Sequence, residues 1–157
     1  MDVFWQTING TFLATVLGGI IASFVGYWLS KRASSIAATY DIVKNVLSDD
    51  FTSRRKGVKD SIKSGVTFID ICHSDVGKPE IYKIRSDIIF LLNYYDTVMH
   101  GVDDGALSGD VIKKTIWSMM KQDHDSFEDF IEPYSRFYAA TPRPLFPALR
   151  KYHKEWG

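Results

Sequence analysis

Thr11-Phe-Leu-Ala-Thr-Val-Leu-Gly-Gly-Ile-Ile-Ala-Ser-Phe-Val-Gly-Tyr-Trp-Leu29 is the stretch that decides the fold. No charged residue occurs between Asp2 and Lys31. A bilayer core takes about 20 apolar residues as a helix. Trp5 and Trp28 bracket the stretch, with Phe4 and Tyr27 beside them. A helix between those tryptophans is about 35 Å long, the span of a bilayer with aromatic belts. A soluble helix of this length normally carries charge on its solvent face. A cleaved signal peptide places its positive residues before the apolar run, and here Lys31 and Arg32 come after it. The window therefore predicts a retained single transmembrane helix. The positive-inside rule places the amino terminus outside and the rest in the cytoplasm, which fits an inner-membrane protein.

The rest of the composition narrows the class further. The 157 residues are 45% apolar and 14% aromatic, which suits one folded domain and excludes a disordered chain. Basic and acidic residues balance at 19 each, so a bulk polycation for nucleic acid is excluded. A single cysteine, Cys72, excludes a disulfide scaffold and a cysteine zinc cage.

The span carries two rows of small residues. Ala14, Gly18, Ala22 and Gly26 recur every four positions, and Thr11, Thr15, Gly19 and Ser23 form a second row beside them. Such rows let helix backbones approach closely in lipid. Ala14, Gly18, Gly19, Ala22, Ser23 and Gly26 are thus the expected packing face of a homo-oligomer. Past the span, Leu29, Ala33, Ile36, Tyr40, Val43 and Leu47 repeat at alternating spacings of four and three. This run is too short for a stable coiled coil and predicts a docking stripe for the cytoplasmic helices.

The cytoplasmic part reads as an antiparallel helical bundle. A helix is expected near 51–72, with Val58, Ile62, Val66, Ile69 and Cys72 on one face. Pro79 opens the next, whose seam is Ile81, Ile84, Ile88, Leu91, Tyr95 and Val98. The glycines and aspartates of 101–109 predict a turn, with Ser108 capping a helix that runs to about Ile131, where Pro133 kinks or ends it. A last helix spans 147–156. No alternating strand pattern is present. The expected fold is all-α: a tail and transmembrane helix over 1–30, a juxtamembrane helix over 31–50, and a cytoplasmic helical domain over 51–157.

Charge is segregated along this part. Residues 31–85 carry 11 basic and 7 acidic side chains, and residues 86–132 carry 3 and 10. Pairing between bundle faces is the plain expectation. Arg54, Arg55, Lys56, Lys59 and Lys63 form the densest basic cluster. They are candidates for anionic lipid, each worth about 1 kcal/mol at a headgroup surface. Nucleic acid is not expected, because the cluster lacks interleaved stacking aromatics.

Catalytic chemistry is hard to find. No phosphate loop, nucleophile elbow, zincin helix or dinucleotide fingerprint occurs. His100, Asp103 and Asp104 could chelate a divalent metal or relay protons, but helix-end and turn chemistry is the better explanation of them. Asp123, His124 and Asp125 are consecutive, and consecutive helical residues face different ways, so they read as a solvated helix face and not as a chelating site. His73 and His153 read as surface or helix-end residues. Cys72 lies on an apolar face, where a thiol is inert. No cofactor is expected and the protein is read as a non-enzyme.

One further pattern carries a resemblance. Ile88-Ile-Phe-Leu-Leu-Asn-Tyr-Tyr-Asp-Thr-Val-Met-His-Gly-Val-Asp-Asp-Gly-Ala-Leu107 is followed by Asp110, by Trp117 and by the closing Leu149-Arg-Lys-Tyr-His-Lys-Glu-Trp156. Over residues 51–157 this resembles a family of bacterial and phage-associated proteins described as a domain of unknown function. The resemblance implies one N-terminal span and a small helical cytoplasmic domain, and brings no catalytic residues. In structural terms, Asn93 is placed to bridge helices, Gly101 and Gly105 to allow the turn, and Trp117 and Trp156 to fill the core. The sequence thus reads as a non-enzymatic, self-associating single-span protein whose bundle binds a cytoplasmic partner, in a regulatory or phage-defence role. The competing reading is a membrane-tethered enzyme or metal protein using the His100, Asp103 and Asp104 turn.

Overall fold

The computed structural model describes residues 2–73, 78–138 and 145–157, with side chains described for 15–72, 78–136 and 145–157. Among these residues the chain is helical and without strands: α1 (Asp2–Val46), α2 (Asp49–Lys63), α3 (Phe68–His73), α4 (Pro79–Asp103), α5 (Gly109–Thr115), α6 (Trp117–Tyr138) and α7 (Pro147–Trp156). The all-α expectation holds.

The 45-residue α1 runs without a break through the expected boundary at residue 30. Its two halves have different surroundings. Every residue from Thr15 to Ser34 is exposed, whereas Thr39, Val43 and Val46 are buried against the bundle. Among the described residues no helix is long and apolar enough to cross a membrane. The expected span of 11–29 begins outside the described side chains, and Ala14, Phe4 and Trp5 lie there too.

The docking stripe is rotated from the expected one. Leu29, Tyr40 and Leu47 are exposed and Val43 is buried as expected, while the chain also buries Thr39 and Val46 with Ile42 half-buried. Leu29 and Leu47 lie about five turns apart and so share a face, but the buried face is centred about a quarter turn away and overlaps the expected one at Val43. Thr39 is a polar residue in this seam because its hydroxyl is engaged both as donor and as acceptor. Its Oγ1 donates to the Ser35 carbonyl at 2.6 Å and accepts the Ser108 backbone N–H at 2.8 Å. One of the orphan donors at the start of α5 is therefore satisfied from α1. Ser108 holds the N-cap position, but its side chain makes no capping bond.

Two expected helices are each broken. The 51–72 stretch is α2 and α3, separated where Gly65 takes φ +94°, a conformation that favours glycine. Thr67 and Asp70 then restart the helix as a capping box. The Thr67 N–H donates to Asp70 Oδ2 and the Asp70 N–H to Thr67 Oγ1, both at 3.2 Å. The 108–131 stretch bends at Ile116, whose φ is −117°. This bend turns Ile112 and Ile116 into the core together with Trp117 and Met120. Pro133 does not end α6, which runs on to Tyr138.

α4 is the central element, packing against α2, α3, α6 and α7. Its seam is buried from Ile88 to Val98 as expected, with Ile81 and Ile84 half-buried. α4 also runs past Gly101 to Asp103, and Gly105 takes the positive φ of the turn. Gly101 serves packing instead: a Cβ there would meet Leu107 Cδ1 at 2.7 Å. α7 closes the bundle. Its Leu149 N–H donates to Asp96 Oδ1 at 2.9 Å, so Asp96 bridges α4 and α7, while Asn93 is exposed. Trp117 and Trp156 meet edge to face at 5.2 Å.

Candidate functional site

The exposed part of α1 is the most unusual surface of the described molecule. Val16, Leu17, Ile20, Ile21, Phe24, Val25, Tyr27, Trp28 and Leu29 are each between 44 and 69% exposed. Single exposed apolar residues are ordinary, but a contiguous collar of nine is not. These residues cover well over half of the helix circumference, an arc too wide for any rotation of α1 to hide against the bundle, and the small residues take the rest. Around the same turns a Cβ added at Gly18, Gly19 or Gly26 would meet nothing within 4 Å. The small-residue face is thus open, with Ala22 and Ser23 exposed on it. Ser23 Oγ donates to the Gly19 carbonyl at 2.8 Å, which satisfies the hydroxyl without any outside partner. At the end of the collar Arg32 lies over the Trp28 ring, 5.4 Å from its centroid. This arrangement sets an aromatic and a cation side by side where apolar chain gives way to charged chain.

The basic cluster of α2 turns largely inward. Arg54 bonds Asp50 at 3.1 Å and Asp87 at 2.9 Å, and its guanidinium covers the Phe90 ring. Arg55 bonds Asp123, and Lys59 Nζ lies 2.9 Å from the other Asp123 oxygen, an ion pair whose angle is not that of a hydrogen bond. Lys56 and Lys63 are exposed. Three of the five cations therefore have carboxylate partners within the chain.

Asp123 is the polar centre of the bundle. It is fully buried, and Tyr95 donates its hydroxyl to Asp123 Oδ2 at 2.8 Å. Burial and the Asp123 carboxylate push the Tyr95 hydroxyl well above its ordinary pKa. One carboxylate thereby ties α2, α4 and α6 together. Removing one partner of such a cluster is far costlier than the cluster's net worth, because the others stay buried without compensation.

The His100, Asp103 and Asp104 turn has a structural assignment. Asp103 accepts from Lys151 Nζ at 2.5 Å and from the Tyr152 hydroxyl at 2.9 Å. Those two donors hold its carboxyl below the usual range. Asp104 ends α4, with its N–H on the His100 carbonyl at 2.9 Å, and His100 faces Asp96 at 3.4 Å. Asp103 thus clamps α7 onto α4, while His100 and Asp104 serve α4 itself, and the three form no metal-ligand group among the described residues. Cys72 is buried, and burial raises its thiol pKa, which leaves it unreactive.

The group that does converge is His124, Asp125 and His153. No sequence spacing joins them, since His153 arrives from α7. His124, expected on a solvated face, is buried instead.

No curated protein and no solved structure matches the chain. A family described as a domain of unknown function, DUF4760, matches residues 13–152, a region that begins within the apolar collar's helix and ends in α7. The chain belongs to the DUF4760 family.

Proposed function

We propose that this protein is a non-enzymatic membrane anchor and adaptor. The apolar part of α1 crosses the inner membrane as a single span over 11–29 and self-associates through Ala14, Gly18, Gly19, Ala22, Ser23 and Gly26. The bundle then lies on the cytoplasmic side and binds a protein partner there. The observation that carries this reading is the collar on α1: large apolar side chains over most of the helix and uncharged small residues over the rest, with no described part of the bundle packed against them. A helix with no charged face needs lipid or other helices around it. Lys31 and Arg32 at the end of the collar favour the cytoplasmic placement of the bundle. The family match starts at residue 13, so the helix is part of the family's shared unit and not an appendage to it. A bacterial regulatory role, including that of a membrane effector in phage defence, suits a small chain with an oligomerising span.

The test is extraction of membranes carrying the full-length protein. The protein is expected to stay in the membrane through alkaline carbonate and to leave it only in detergent. Release by carbonate would overturn the span. For the second half of the reading, cross-linking in those membranes should give a defined multimer plus a larger adduct that depends on the bundle.

A further inference from the structure

We propose that His124, Asp125 and His153 form a binding site for one divalent transition-metal ion of the zinc class, which clips α7 to α6. The inference goes beyond the anchoring role and does not depend on it.

Three observations carry it. First, one ligand atom from each residue can be chosen so that all lie within 4.8 Å of one another. Asp125 Oδ1 is the hub, 2.5 Å from His153 Nε2 and 3.8 Å from His124 Nδ1. Second, His124 is only 5% exposed, yet neither of its ring nitrogens has a hydrogen-bond partner. Buried polar atoms in folded proteins are nearly always paired, and an imidazole with both nitrogens free is a ligand awaiting an acceptor of its lone pair. Third, the two imidazoles sit ring to ring at 4.4 Å beside a cavity of about 380 Å³. Ile131, Glu128, Glu132, Arg150 and Lys154 complete the cavity wall, whose two carboxylates balance its two cations, and Asp125 adds a further carboxylate beside the two imidazoles.

The donor set fixes the class of ion. Two neutral imidazoles and one carboxylate suit zinc and its neighbours, and are too rich in nitrogen for calcium or magnesium. Bonds of about 2.0–2.2 Å put tetrahedral ligand atoms about 3.4 Å apart. The His124 to Asp125 separation is already close to that. His153 must retreat from Asp125 by about 1 Å, exchanging a direct bond for a shared ion. A water from the cavity would supply the fourth ligand.

His153 is held ready by its neighbours. Leu149 is bonded to Asp96, and Lys151 and Tyr152 are bonded to Asp103, so the register of α7 is set independently of the ion.

Calorimetric titration of Zn²⁺ into the full-length, chelator-stripped protein in detergent tests the site. The expected result is one ion per chain. A Zn²⁺ excess of about 100-fold over the dissociation constant should raise Tm by about 5–10 °C. Asp125→Asn and His153→Gln alter partly exposed side chains and should keep the helical circular dichroism of the parent. Each should weaken zinc by about 10-fold or more, whereas His100→Gln should bind as the parent does. Co²⁺ should give a visible d–d spectrum that His124→Gln abolishes. Absence of stoichiometric binding overturns the proposal, and so does zinc affinity unchanged in both Asp125→Asn and His153→Gln.

Discussion

Asp123 sits fully buried between Arg55, Lys59 and the Tyr95 hydroxyl, and three helices meet on its two oxygens. Asp123→Ala removes the acid of that cluster and leaves two cations facing a hole. It should cost about 3–5 kcal/mol of stability in urea unfolding. Tyr95→Phe removes one donor and leaves the ion pairs intact, and should cost about 1 kcal/mol by the same assay. His124 predicts a pH dependence of definite sign. Burial, then the charges of His153 and Arg150, depress its folded pKa, while Asp125 and Glu128 act in the opposite sense without prevailing. The unfolded chain therefore binds a proton more readily than the native one below pH about 6.5. Stability from this residue is intact above that pH and shrinks as pH falls toward the folded value. Thermal melts of metal-free protein at about pH 8 and about pH 5 should show the loss, and His124→Gln should reduce it.

At the scale of elements, the joints matter more than the helices. Thr39→Val keeps the shape of the side chain and removes the acceptor for the Ser108 N–H at the start of α5. About 1–2 kcal/mol should be lost on unfolding, and exchange at the Ser108 amide should speed up. The helices themselves are legible in the sequence, because apolar spacing along α4 and Pro79 and Pro147 at helix starts are local signals. The joint at Gly65 also has a local signal, a glycine followed by the Thr67 and Asp70 capping pair, but the apolar spacing on either side masks it. The bend at Ile116 has no such signal, since no glycine or proline marks it and the core behind it sets the angle. The docking face of α1 is offset by a fraction of a turn, because Thr39 looks polar until its partner on α5 is known. The small-residue face can be read directly, and the structure leaves Gly18, Gly19 and Gly26 open. The convergence of His124, Asp125 and His153 needs the packing of α7 on the bundle, which no local pattern encodes. Likewise, the charge segregation points to pairing between bundle faces, but Asp87 and Asp123 as the partners of Arg54, Arg55 and Lys59 are set by the packing of distant helices.

The whole molecule divides along a single helix. From residue 35 onward α1 belongs to the bundle, and before it α1 belongs to whatever surrounds it. The bundle has a buried core of its own and a 45-residue helix leading away from it, an arrangement that the proposed anchored module would use. The most direct test of that account is the mass of the full-length protein extracted in mild detergent, beside the same protein with Gly18, Ala22 and Gly26 replaced by leucine. The account predicts a defined oligomer for the parent and a monomer for the triple variant, with the bundle folded in both. A monomer in both, or an oligomer that survives the leucines, would contradict self-association through this face.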